Sequence, residues 1–164
     1  MVIEPLFSGY GVTIGNALRR VLPSSIPGAA ITSVKIKGVD HEFSTLDGVK
    51  EDVVDIILNF KKVRVKMHAD QEVRLKLHVT GKKDVTAGDI EANADVEVMN
   101  KDQHLATLTS ASSEFSVEIV VNSGRGYIPT ESRQEEKREI GMIAIDSIYT
   151  PIRNVALHVE NVRV

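Results

Sequence analysis

Residues 13–25, "TIGNALRRVLPSS", place Ile14, Ala17, Leu18, Val21 and Leu22 at helical spacing. The pattern predicts a first helix, with Thr13 as its N-cap. Pro23 lacks an N–H and crowds the turn before it, so the helix is expected to stop or kink near Arg20 to Leu22. Residues 29–39, "AAITSVKIKGV", alternate instead. Thr32, Val34 and Ile36 fall on one side and Ser33, Lys35 and Lys37 on the other, as in a half-solvated strand. Val49, Val53, Ile56, Ile57 and Phe60 then mark a second amphipathic helix, with Thr45 or Asp47 as candidate caps.

Period-two alternation returns at Val63, Val65 and Met67, and again at Val73, Leu75, Leu77 and Val79. With "HADQE" between them, these runs predict a hairpin. Short strands are expected at "ADVEVMN", "HLATLT" and "EFSVEIVVN", followed by a turn at "SGRGY". The run 130–139, "TESRQEEKRE", is charged and loop-like. "IGMIAIDSIYTP" and "RNVALHVENVRV" read as the last two strands, the latter alternating Val155, Leu157 and Val159 with Ala156, His158 and Glu160. Two helices among many antiparallel strands, without regular βαβ alternation or an internal repeat, give an α+β chain.

Composition narrows what such a chain can do. With 42% hydrophobic residues, 4% aromatic residues and no Trp, the core must be aliphatic. At 164 residues the chain suits one domain or two small ones. A net charge of −3 gives no bulk field for a polyanion. The absence of Cys excludes disulfides, thiolate zinc sites and a Cys nucleophile, and fits a reducing cytosol. No apolar run approaches the ~20 residues of a membrane span. A cytoplasmic protein is therefore expected.

The candidate chemistry is sparse. Gly9, Gly11 and Gly15 open the first helix, as the glycines of a phosphate loop would. In the dinucleotide pattern the third glycine comes one residue earlier, where this chain has Ile14, and no Gly-Lys-Ser/Thr follows. A nucleotide-binding enzyme using this loop is the alternative reading, and the spacing disfavours it. The competing reading has Gly9 and Gly11 forming a tight turn and Gly15 permitting close packing. His41, His68, His78, His104 and His158 show no ligand spacing, so neither a metal nor a cofactor is expected. No Ser sits in a G-x-S-x-G elbow. Arg19 and Arg20 flank the apolar stripe of the first helix, an arrangement suited to an interface. These residues favour a binding or assembly module.

The stretch "GYGVTIGNALRRVLPSSIPGAAITSVKIKGVDHEFSTLDGVKEDVVDIILNFKK" strongly resembles the N-terminal domain of bacterial RNA polymerase alpha subunits. The likeness continues through "VTAGDI", "ADVEVMN", "HLATL", "GRGYIP" and "IDSIYTPIRNVALHVENVRV", in order along nearly the whole chain. It implies a non-catalytic scaffold. In that family two alpha subunits dimerise and carry the beta and beta-prime subunits. The implied fold has a dimerisation subdomain from both chain ends, here 1–27 plus 151–164. A mostly antiparallel β subdomain, 28–150, is inserted between them.

The resemblance also assigns residues. Arg20 matches a beta-subunit contact, and Lys61 and Ile145 match positions linked to binding the large subunits. Leu18, Val21 and Leu22 would face the partner alpha subunit. "GRGY" is a further candidate large-subunit contact. Three departures carry expectations of their own. Pro23 stands where the family usually has Leu, which should distort the helix beside the beta contact. Phe7 and Ser8 replace a charged pair. The family's opening strand, its closing strand and long helix, and its DNA-binding C-terminal domain have no counterpart here. The chain alone is thus expected to dimerise weakly and not to bind promoter DNA.

Overall fold

The computed structural model describes residues 1–91, 93–133 and 139–161. Within them, helix α1 (Tyr10–Ser25) precedes strand β1 (Pro27–Ile36), and helix α2 (Val53–Lys62) follows. The strands after α2 are β2 (Val65–Met67), β3 (Val73–Thr80), β4 (Asp84–Thr86), β5 (Val96–Val98) and β6 (His104–Thr107). The last are β7 (Glu114–Arg125), β8 (Tyr127–Ile128), β9 (Ile143–Ala144) and β10 (Ser147–Ile148).

The main sheet has the order β3-β7-β1-β2-β5, with β9 also pairing β1. It curls toward closure. A bridge joins Leu77 of β3 to Ile90, and the Glu91 N–H donates to the Lys76 carbonyl at 2.8 Å on the approach to β5. Two small antiparallel pairs, β4-β6 and β8-β10, lie beside it. The expected α+β architecture is thus present.

Strand β3 alternates buried and exposed residues along its whole length, as Val73, Leu75, Leu77 and Val79 predict. Helix α2 buries Val53, Ile56 and Phe60 against the sheet. The core is aliphatic, with Phe60 and Phe115 as its only fully buried aromatic side chains among the described residues. The N-cap of α2 is Asp52, not Thr45 or Asp47. Its Oδ1 accepts from the Asp55 N–H at 2.8 Å, and the helix begins only where a side chain can satisfy that donor. Glu51, next to it, ties this end to β6. Its carboxylate accepts from the Thr107 N–H at 2.7 Å and the Thr107 hydroxyl at 2.8 Å, and lies 3.0 Å from His104 Nε2. Burial would raise its pKa, but these hydrogen bonds outweigh it and hold the carboxyl below its usual value.

Strands β2 and β3 do not form the expected hairpin. Strand β2 pairs β1 and β5, whereas β3 pairs β7. The His68 N–H continues the β2-β5 ladder by donating to the Asp95 carbonyl at 2.8 Å, so the chain cannot fold back on itself at "HADQE". Alternation fixes which face of a strand is apolar but not which neighbour it joins.

Residues 152–161 form no strand, although they read as one. Their alternation packs against α1 instead. A Cβ on Gly11 would lie 3.1 Å from Val159, and a Cβ on Gly15 would overlap Leu157. Residues 162–164 of that run, and 134–138 of the charged one, lie outside the described residues. Thr130–Arg133 form a 3-10 turn where a plain loop is expected.

Helix α1 starts at Tyr10, with Gly9 as N-cap at φ 84°, a backbone conformation that suits glycine. Thr13 lies inside the helix, its hydroxyl 3.4 Å from the Gly9 carbonyl. Pro23 does not end the helix, which runs on to Ser25. Proline in the last turn removes only one donor. The Ser24 hydroxyl meanwhile donates to the carbonyls of Val21 at 3.1 Å and Arg20 at 3.3 Å.

Candidate functional site

Lys61 lies in the last turn of helix α2, where a cation meets the negative end of the helix dipole. Its Nζ donates to Asp146 Oδ2 at 2.9 Å, and both side chains are about 29% exposed. The same ammonium stands 5.9 Å from the ring centroid of Tyr127, within cation–π range. Asp146 Oδ1 accepts from the Thr130 N–H at 2.9 Å, and the Tyr127 hydroxyl is a further partner of its carboxylate. The Lys61 hydrogen bond, then the Thr130 N–H, outweigh partial burial and hold the Asp146 carboxyl at about 2. Desolvation of its hydroxyl and the bond to Asp146 push Tyr127 up.

The backbone carrying Asp146 is fixed on both sides. Strand β1 shifts register between Ile31 and Ser33, which leaves the buried Thr32 without a partner in the β7 ladder. The Thr32 carbonyl accepts the Ile145 N–H at 2.9 Å. After Asp146, Ser147 pairs Ile128 and Ile148 pairs Tyr127 in the β10-β8 ladder. Arg133 donates to the Ile145 carbonyl and, at 3.0 Å, to the Ser147 hydroxyl. This register is what puts Tyr127 beside Asp146.

The patch continues to the end of α1. Gly126, at φ 67°, sits where a Cβ would be 3.5 Å from Ser24 Cα. The Gly126 carbonyl accepts the Tyr149 N–H at 2.9 Å. The turn in "GRGY" therefore connects the C-terminal end of α1 to the Lys61–Asp146 pair.

The positions singled out in the sequence fall into three groups. Lys61 and the "GRGY" turn come together, and Ile145 lies one residue from Asp146. The Ile145 side chain is itself buried, at 1% exposure, so it presents no surface. Arg20 is exposed on α1, with Val21 beside it, while Leu18 and Leu22 are half-buried. Helix α1 has no fully buried residue at all. Asp146 completes the patch and is not among the positions singled out in the sequence, whereas Tyr127 is the last residue of "GRGY". An aspartate inside the apolar run "IAIDSIY" was the available signal, since a partly buried carboxylate needs partners.

The glycine loop encloses nothing. Gly9 turns the chain into α1, and Gly11 and Gly15 lie inside the helix against Val159 and Leu157. Surface depressions of about 220 and 530 Å³ lie elsewhere, and no residue of 9–22 lines either. Among the described residues no group of three or more His, Asp or Glu could hold a metal ion, and no helix is long and apolar enough to cross a membrane.

A nearly closed antiparallel sheet backed by a helix, with a partly exposed ion pair and an exposed aromatic ring, first defines a class by its fold, an α+β module. The family model of the RNA polymerase Rpb3/RpoA insert domain matches residues 34–150, and the chain belongs to that family. It is similar to the DNA-directed RNA polymerase subunit alpha of Symbiobacterium thermophilum, 54% identical over 163 residues, or 99% of this chain and 51% of that protein. The corresponding subunit of Desulforamulus reducens is 56% identical over 163 residues, again 99% of this chain and 51% of the relative. That of Chlorobaculum tepidum is 54% identical over 164 residues, covering 99% and 50%. The chain thus spans about half the length of these curated relatives.

Proposed function

We propose that the chain is a non-catalytic assembly scaffold of a bacterial RNA polymerase, acting in the cytoplasm. One alpha-type chain pairs with a second and carries the beta and beta-prime subunits. The observation that carries this reading is the 54–56% identity to polymerase alpha subunits along 99% of the chain. In this reading residues 1–27 and 151–164 form the dimerisation part and 28–150 the inserted part. Leu18, Val21 and Leu22 face the second alpha chain. Arg20 reaches the beta subunit, and Lys61 contacts a large subunit. Ile145 contributes from inside, by fixing the backbone that holds Asp146.

Co-purification with the beta and beta-prime subunits tests the reading. The chain should be retained with them and Arg20→Ala should reduce retention about tenfold, with an unchanged circular-dichroism melt. Full retention of the variant removes Arg20 from the interface. No retention of the parent chain removes the scaffold reading.

A further inference from the structure

Asp146 gathers groups from three separate places: the Lys61 ammonium from α2, the Tyr127 hydroxyl from β8 and the Thr130 N–H from the turn after it. Its own backbone is held by the Ile145 bond to Thr32 and by the β10-β8 ladder. The carboxylate direction is therefore set by the sheet. The Lys61 side chain is as exposed as that of Asp146, about 29%, but it ends on a flexible stem rather than on the sheet, and Tyr127 is 54% exposed. A lysine side chain with four rotatable bonds loses much freedom when a partner fixes it, and prior ordering removes that cost from binding.

We infer that Asp146 is a positioning residue for the contact patch. It fixes the Lys61 ammonium beside the Tyr127 ring, so that a large polymerase subunit meets an ordered cation–aromatic pair. This rests on the proposed scaffold function and adds to it a residue that acts through Lys61 and Tyr127. Asp146 itself need not touch the partner, since its two oxygens are turned toward Lys61 and Thr130.

A double-mutant cycle separates this role from general stability. Binding to the purified beta and beta-prime subunits is measured for the parent chain, Asp146→Asn, Lys61→Met and the double variant. Asp146→Asn keeps the side-chain shape and removes the charge. It should weaken binding five- to tenfold in the parent background and less than twofold in the Lys61→Met background. Tyr127→Phe, which removes only the hydroxyl donor, should weaken binding two- to threefold and serves if Asp146→Asn does not fold. In the free chain, the side-chain NMR signal of Lys61 should change from ordered to averaged in Asp146→Asn. Equal loss in both backgrounds, parent-like binding by Asp146→Asn, or an unchanged Lys61 signal each overturn the inference while leaving the scaffold function intact. A parent chain that binds neither subunit overturns the scaffold function, and the inference with it.

Discussion

The carbonyl oxygen of Tyr149 occupies the space that a Cβ on Gly28 would need. The first turn of β1 and the end of the Ile145–Thr150 segment thus touch backbone to backbone, with the Tyr149 ring lying over Gly124. Adding one methyl group at Gly28 must move one of these chains. Gly28→Ala should cost about 1–3 kcal/mol by overpacking, read as a drop in melting temperature of roughly 5 °C. Because Tyr149 also bonds Gly126, the variant should shift the NMR signals of Tyr127 as well. A melt and spectrum identical to the parent would contradict this contact.

Asp52 begins helix α2 by accepting the Asp55 N–H. Asp52→Ala should destabilise the protein by about 1 kcal/mol in urea unfolding, whereas Asp52→Asn should lose less than half of that. Equal losses would mean that the charge, not the cap, is what matters.

The Asp146 carboxyl lies at about 2 in the folded chain and near 3.9 when unfolded. The unfolded chain then binds the proton more tightly, so stability from this group is fully present above pH ~4 and lost as the pH falls toward 2. The loss should be about 1–2 kcal/mol, given the partial exposure of the pair. Urea midpoints measured from pH 6 to 2.5 should show it, with a shallower slope in Asp146→Asn. Glu51 and Asp89, also held below their usual values, lose stability in the same direction.

Pro23 leaves the Arg19 carbonyl without its helical donor. Pro23→Leu restores an N–H there and should stabilise the last turn of α1 by about 1 kcal/mol. Hydrogen exchange at Leu22, Ser24 and Ser25 should slow several-fold. Unchanged exchange would show that the missing donor to the Arg19 carbonyl does not weaken this turn.

Helix α2 and strands β3 and β7 could be read from the sequence because one face of each is buried along most of its length. Burial of Val73, Leu75, Leu77 and Val79 imposes the alternation that announces β3. Strand pairing was less legible. Three-residue β2 joins β5, about thirty residues later in the chain, and its own pattern says nothing of that partner. Helix α1 runs past Pro23 to Ser25, because a proline this near the end removes a single donor, a tolerance that periodicity does not register. At the candidate site the family likeness selected Lys61 and Ile145. The residue that binds Lys61 is their neighbour Asp146, and its role depends on the register pairing Ile148 with Tyr127.

The register shift at Thr32 reaches beyond β1. Before it, Ile31 pairs Val121; after it, Ser33 pairs Val120, so one residue of β1 has no opposite number. The Thr32 carbonyl is the one that receives Ile145. Deleting a single residue here would restore a regular ladder and remove that anchor. A local gain in pairing would then leave the distant ion pair of Lys61 and Asp146 without its support, so the irregular point in the sheet specifies where that pair stands on the surface.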